Sequence, residues 1–446
     1  MARVTSPGTA GALRVEVAVV GAGPGGCAAA ITCAAAGLRV ALVDKSRFPR
    51  DKCCGDGLTT GALRRLERLG LSLDAVPSFR RVDELAARSP SGRIVRVPLA
   101  PKGGRGVAAG VARRRDLDDA LLHRARAAGA SVLEGRALAA LDEGEPGARG
   151  ARPLRLVLAD GTRVEAPAVI AADGAWSPTR RLAGSLGGAA APAPRNAEWH
   201  AFRTYMTQVD GPAQAALWVW FAPAWLPGYA WAFPLADGLV NVGLCVERRE
   251  DRRGRELQQA WNEALESTFL TSLLGRRATP TGAGRSWPIP AGVRQLPLHA
   301  ADGRILFVGD AARAADPFTG EGVAQALESG IAAAEAVVGV GGAHAGAAAA
   351  HYEHAIASAL AIDHDIAWRA RALMSTPLGA RAALRGTDLT AGLRRGVGRW
   401  LYEDYPRALL RQPWRWRPAL TARPSPFRGA SAGAPLRAQL SSPPCR

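Results

Sequence analysis

Gly21, Gly23 and Gly26 stand at the spacing Gly-x-Gly-x-x-Gly, and a carboxylate, Asp44, follows about 20 residues further on. Residues of these types at this spacing can bind a dinucleotide. Gly21 permits a tight turn, Gly23 lets the backbone approach a pyrophosphate, and Gly26 lets a helix pack closely on a strand. The helix opening here presents unpaired N–H groups to the phosphates, and Asp44 can accept hydrogen bonds from ribose hydroxyls. Two later segments look like parts of the same site. One is Asp173-Gly174. The other is Gly309-Asp310, followed by the turn Asp316-Pro317-Phe318-Thr319-Gly320-Glu321-Gly322.

These residues need elements to hold them. Residues 15–20 are rich in β-branched side chains and bounded by glycine, which reads as a buried parallel strand. Residues 27–36 read as an Ala-rich helix ending at Gly37, and residues 40–43 as a second strand that Asp44 closes. A glycine motif between a strand and a helix is in the context where it binds a ligand. Residues 169–172 are a strand leading into Asp173, residues 304–308 a strand ending at Gly309, and a helix starts at Val323. Gly339-Val340-Gly341-Gly342 follows a helix rather than a strand, so it reads as a helix exit.

In this order the three segments resemble the FAD-dependent oxidoreductases of the hydroxylase type. Two narrower elements point within them to the geranylgeranyl reductase family. Residues 52–58, Lys-Cys-Cys-Gly-Asp-Gly-Leu, resemble its Lys-x-Cys-Gly-x-Gly-Leu element, and residues 229–234 its Tyr-x-Trp-x-Phe-Pro element. The Gly-Glu-Ser type sequence of related flavin halogenases is absent. The resemblance implies FAD rather than NAD as the bound cofactor, with NAD(P)H or another reductant as electron donor. It implies that Gly21, Gly23, Gly26, Asp44, Lys45, Arg114, Asp173, Gly174, Gly309 and Asp310 hold the cofactor, Asp310 on the ribityl or ribose side. Pro317, Gly320 and Gly322 would lie against the isoalloxazine. Arg114 would precede a helix starting near Leu117; otherwise the arginines at 113–115 are a solvated basic patch. Cys54 becomes the catalytic candidate: a thiol of pKa about 8.5 is protonated at neutral pH, so it could donate a proton or position a water. Its other reading is a small residue filling a tight turn.

The implied fold is α/β. A discontinuous Rossmann-like FAD-binding domain spans 14–85, 105–180 and 300–345, an inserted β-sheet-rich α+β substrate domain 186–298, and a helical C-terminal region 346–417. Residues 418–446, rich in Pro, Ser, Ala and Arg, read as a disordered tail, 187–194 as a low-complexity linker and 144–152 as a hairpin or loop. Trp218, Trp220, Tyr229, Trp231 and Phe233 alternate along two strands. Side chains two apart share a face, so the five form either the wall of a hydrophobic substrate cleft or an ordinary sheet core. The expected activity is reduction of C=C bonds in a prenyl or isoprenoid lipid. The alternatives are an FAD-dependent monooxygenase (hydroxylase or epoxidase) or a halogenase acting on a hydrophobic secondary metabolite, and a non-catalytic flavoprotein. A halogenase needs a lysine in its substrate tunnel. The chain has only Lys45 and Lys52, both in the cofactor segment, and Lys102 in a Gly-rich loop.

The net charge of +18 comes almost wholly from arginine. With abundant Ala and Gly this reads as coding bias rather than a nucleic-acid surface, and it fits an anionic or membrane-bound substrate better. No partner nucleic acid is expected. The six cysteines show neither disulfide nor zinc spacing. His351, His354, Asp363, His364 and Asp365 suit one solvated helix face, so no metal is expected. No signal peptide is read at the N-terminus, and the most apolar stretch, 331–350, is broken by Glu335, His344 and several glycines. The expected location is the cytoplasm, free or peripheral on a membrane. The basic aromatic stretch from Arg394 to Arg417 is either a membrane-interface or lid segment or a helix packed on the substrate domain.

Overall fold

Short runs with no polar residue must be buried on both faces, and two of them form the middle of a parallel sheet. The computed structural model describes residues 12–102, 104–145, 152–186, 197–249, 254–341 and 345–408. The linker at 187–194 lies outside the described residues, as do most of the 144–152 loop, Trp414 to Arg417 and the tail. Along the chain come β1 (Val17–Val20), α1 (Pro24–Ala35), β2 (Val40–Asp44), β3 (Glu84–Arg88), β4 (Ile94–Pro98), α2 (Arg114–Ala127), β5 (Ser131–Glu134) and β6 (Ala168–Ala171). Then follow β7 (Trp199–Thr207), β8 (Leu217–Trp220), β9 (Tyr229–Pro234), β10 (Val240–Glu247), α3 (Arg255–Leu265), α4 (Thr268–Leu274), β11 (Arg285–Ile289) and β12 (Ile305–Phe307). The helices after β12 include α5 (Val323–Gly339), α6 (Ile362–Met374), α7 (Pro377–Asp388) and α8 (Ala391–Leu401).

The first sheet has the order β12, β6, β1, β2, β5, all parallel, with a short antiparallel strand His299–Ala300 beside β12. Its register sets Val20 level with Ala171 and Val43, and Ala171 level with Phe307. The segments after β1, β6 and β12 therefore leave the sheet side by side at its carboxyl edge, where open α/β sheets bind ligands. α1 is Ala-rich because it is buried almost all round, from Pro24 to Cys33. It meets α5 at glycines: a Cβ on Gly330 would lie 2.1 Å from the Gly25 carbonyl oxygen.

The second sheet runs Thr279–Pro280, β7, β10, β9, β8, β3, β4, with β11 also paired to β7. Residues 84–98 supply two of its strands, from a stretch whose sequence carries no sign of this. Cross-strand partners share a face. Trp231 is opposite Gly243 and Val219, and Gly243 is opposite Arg203, so these look to one side. Trp218 and Trp220 are opposite Ala232 and Ala230 and look to the other side. There both tryptophans pack edge-on against Phe269 in the cluster that α3 and α4 cover. The expectation that Trp218 and Trp220 join Tyr229, Trp231 and Phe233 in one cleft wall is thus corrected. Period two fixes the face within a strand, but register between strands fixes which faces coincide.

α2 starts at Arg114, three residues before the expected Leu117, because its first turn is held by the Arg114–Asp118 pair. α7 and α8 pack against β4. His364 is not on a solvated face: it is 3% exposed, near Asp316 and Arg407.

Gly330→Val should force α1 and α5 apart. Overpacking of this kind costs about 1–3 kcal/mol, so the urea midpoint should fall. Gly339 is the control, since a Cβ there meets nothing within 4 Å, and Gly339→Ala should leave the midpoint unchanged or raise it.

Candidate active site

The three glycines after β1 differ in what surrounds them. Gly21 has φ +99°, and a Cβ there would lie 2.4 Å from the Ala172 carbonyl oxygen. A Cβ on Gly26 would lie 1.7 Å from the Gly21 oxygen. Gly23 is unlike both: its backbone is extended, and the nearest protein atom to a Cβ would be Arg50 Nη2 at 3.8 Å. The protein itself gives no reason for glycine at 23, whereas a ligand approaching the N-terminus of α1 would. Asp44 closes the far side, accepting from the backbone N–H groups of Ala22 and Ser46 at 2.7 Å each.

The other two segments stand level with this cradle. Asp173 accepts from Ser177 Oγ at 2.6 Å and from the Thr179 N–H at 2.7 Å, and burial pushes its pKa up against those bonds. Gly174 has φ +83° and open space before it. Gly309 donates its N–H to Ser329 Oγ at 2.9 Å. Asp316 ties the next turn, accepting from the N–H groups of Phe318 and Thr319 at 2.9 and 2.7 Å. Glu321 caps α5, accepting from the N–H groups of Val323 and Ala324 at 3.0 Å; burial, with Glu403 nearby, pushes its pKa up to about 7.

The loop after β2 is stapled to the second sheet. Asn241 Nδ2 donates to the Cys54 carbonyl oxygen at 2.9 Å and to Asp56 Oδ2 at 2.7 Å. Trp231 Nε1 donates to Asn241 Oδ1 at 2.9 Å. A Cβ on Gly55 would touch the Trp231 indole at 3.4 Å, so the loop lies directly on this ring. Arg203 Nη2 donates to Asp51 Oδ1 at 2.7 Å. Lys52 sits 3.5 Å above the Trp287 ring, and burial lowers its pKa to about 8. Cys53 points at the Arg285 carbonyl oxygen, 3.5 Å away. Cys54 faces Arg114 instead; burial pushes its thiol pKa up, and Arg114 opposes that shift.

One cavity of about 610 Å³ joins these parts. It is lined by Gly21, Gly23, Asp44, Lys45, Cys54, Arg114, Asp173, Gly174, Gly309, Asp310, Gly320, Gly322, Tyr229, Trp231 and Phe233. Gly26 lies behind it as the packing contact. Pro317 is buried off the cavity and holds its turn through a carbonyl that accepts from Trp199 Nε1 at 3.2 Å. Arg114 is no solvated patch: it is 8% exposed and bidentate to Asp118 at 2.8 Å. Arg50, Lys52, Asp56, Trp287 and Glu321 also line the cavity, and Arg203, Tyr205 and Asn241 stand behind it. Asp56 and Asn241 lie inside recognisable elements, so a polar residue amid glycines or apolar strand residues was their signal. Arg203 and Tyr205 carry no local signal.

Glycine cradle, level acidic segments and capped turn are those of a dinucleotide-binding flavoprotein. The FAD binding domain family matches residues 14–353, and the chain belongs to it. The residues fit FAD: the open approach at Gly23 and the free helix N-terminus suit a pyrophosphate, and the cavity extends from there past Asp310 to the 319–322 turn. The chain is 33% identical over 340 residues to a menaquinone reductase of Mycolicibacterium smegmatis, covering 72% of this chain and 76% of that one. It is 33% identical over 334 residues to a digeranylgeranylglycerophospholipid reductase of Methanothrix thermoacetophila, covering 73% and 78%. A geranylgeranyl bacteriochlorophyll reductase-like protein of Thermoplasma acidophilum shares the fold, with TM-score 0.72 at 21% identity over 91% of this chain and 100% of that one. Within the family the chain is a geranylgeranyl reductase-like FAD-dependent oxidoreductase.

Gly23→Val separates ligand from scaffold. With open space around the position, the flavin-free protein should keep its unfolding free energy within about 0.5 kcal/mol. FAD binding, read from the yellow flavin absorbance after gel filtration, should be lost. Full FAD occupancy in this variant would show that the pyrophosphate lies elsewhere.

Proposed function

We propose that the protein reduces carbon–carbon double bonds in the isoprenoid chain of a lipid or quinone. One observation carries this reading: the cofactor cradle and an apolar wall of Tyr229, Trp231, Phe233 and Ile289 share a single cavity, with Cys54 at their junction. A long apolar chain fits such a wall, and the names of the reductase relatives support the substrate class. FAD, when bound, supplies hydride transfer to one alkene carbon, and NAD(P)H or another reductant reloads it. The chain's own residues do the rest. Gly21, Gly23, Asp44, Asp173 and Asp310 hold the cofactor, Gly320 and Gly322 flank its reactive end, and Trp231 carries the loop that places Cys54 against the alkene. Enzyme reduced with dithionite and kept anaerobic should convert prenyl quinones or geranylgeranyl lipids to products heavier by two hydrogens, seen by mass spectrometry. Product that forms only with oxygen, and gains an oxygen atom, would sink this reading in favour of monooxygenation.

We infer also that the protein meets its lipid from a membrane surface. No helix among the described residues is long and apolar enough to cross a bilayer. Leu378, Arg381 and Arg385 on α7 and its C-cap Leu389 follow at helical spacing and share one stripe, while Gly379, Ala380 and Leu384 face inward. Leu378 is 78% and Leu389 75% exposed. Apolar side chains flanked by arginines suit an anionic bilayer. A fully buried leucine contributes about 1.5–3 kcal/mol, so the double variant Leu378→Asp, Leu389→Asp should bind phosphatidylglycerol vesicles at least tenfold more weakly in co-sedimentation. Equal binding by the variant would exclude this face.

A further inference from the structure

An alkene that takes a hydride on one carbon needs a proton on the other. Cys54 is a weak donor for that purpose, because burial makes its thiol less acidic than usual. A second acid lies two residues away. Asp56 lines the same cavity and is only 1% exposed. Its N–H donates to Cys54 Sγ at 3.3 Å. Its backbone has φ +63°, a left-handed conformation that Asp tolerates better than most residues. Tyr205 OH and Asn241 Nδ2 each donate to Asp56 Oδ2 at 2.7 Å, and the Arg114 N–H donates to Oδ1 at 3.3 Å.

The nearby cations do not neutralise this carboxyl by direct pairing. Arg203 is bonded to Asp51, and Arg114 is bidentate to Asp118. Asp56 is thus a buried carboxyl on the cavity wall, oriented by neutral donors and free to carry a proton. We propose that Asp56 is the proton source of this site, held by Tyr205 and Asn241 beside Cys54 on the cavity wall. The proposal rests on the reductase reading. The O–H bond of the Asp56 carboxyl breaks, and its proton forms a C–H bond with the alkene π electrons. The hydride fills the other carbon, and the carboxylate left behind is reprotonated from solvent through the cavity.

The electrostatics agree. Burial pushes the Asp56 pKa up to about 6 against the lowering effects of Tyr205, Arg203, Asn241 and Arg114. A group with a pKa near the working pH is the better general acid. The groups facing Asp56 are Tyr205 and Arg203 on β7, Asn241 on β10, Arg114 on α2, and Cys53 and Cys54 on its own loop; Asp51 lies beyond Arg203.

The test has two arms. In the first, turnover of a prenyl quinone is followed against pH. The acid form is the active one, so the wild-type rate should fall as pH rises through the Asp56 pKa. Asp56→Asn should lower turnover by about 10²–10⁴, keep bound FAD and lose that limb. Tyr205→Phe removes a bond that favours the carboxylate, so the Asp56 pKa rises and the limb should move to higher pH. A merely structural tyrosine would lower the rate without moving the limb, and that result, or a limb retained in Asp56→Asn, overturns the proposal. The second arm needs no substrate. In a Cys53→Ala background, the ionised Asp56 raises the Cys54 pKa, so Asp56→Asn should speed iodoacetamide alkylation of Cys54 several-fold at pH 8. An unchanged rate also overturns the proposal. If wild-type enzyme reduces no prenyl lipid, the reductase reading has failed, and the alkylation arm decides on the Asp56–Cys54 coupling by itself.

Discussion

The contact on which the rest depends is backbone against backbone at the ends of β1 and β6. The Gly21 oxygen occupies the place of a Gly26 side chain, and the Ala172 oxygen the place of a Gly21 side chain. Only glycine permits this approach, because any Cβ would lie inside a carbonyl group. With the approach made, β1, β6 and β12 end level, and the three segments that follow converge on one edge. A methyl group at either glycine would tilt α1 away and carry the N-terminal N–H groups with it. The cavity, the position of Asp173 and the position of Gly309 all follow from that close packing.

A second constraint is set by buried arginine. The composition suggests a basic surface, yet several guanidinium groups are spent inside. Arg180 is fully buried; it donates to the carbonyl oxygens of Ala311 and Pro297 and lies 3.7 Å from the Phe307 ring centroid. Arg313 pairs with Glu198, and Arg407 with Asp316 at 3.3 Å. All three hold the segment from Gly309 to Gly322. Buried ion pairs contribute little net stability, but loss of one partner leaves an uncompensated charge, so they specify one conformation of that segment. The charge that first suggests an anionic partner is in part internal scaffolding.

The loop from Asp51 to Gly57 is where the two sheets meet. It belongs by sequence to the cofactor half and by contact to the second sheet, through Arg203, Tyr205, Asn241 and Trp231. This loop lines the cavity with both the glycine cradle and the apolar wall. Its polar atoms are satisfied by side chains from β7 and β10, so its shape is not its own. Much of this was legible. β1, α1, β2 and β12 fall within a few residues of their expected places, since each is written in local periodicity and glycine punctuation. The start of α2 was not, because an i, i+4 ion pair extends it toward its N-terminus.

The sequence by itself determined the cofactor cradle, the α/β class and the reductase-type loop. Those depend on short-range physics: a positive φ, a missing Cβ, a run of β-branched residues, each legible within a few positions. Only the tertiary structure decided that Trp231 borders the cavity while Trp218 and Trp220 do not, since that turns on register between strands. Only it brought Arg203 and Tyr205 to a loop about 150 residues earlier. And only it made Asp56 an unusual acid, because a carboxyl's acidity is set by how much water is removed from it and which dipoles replace that water, a sum over residues that are distant in the chain.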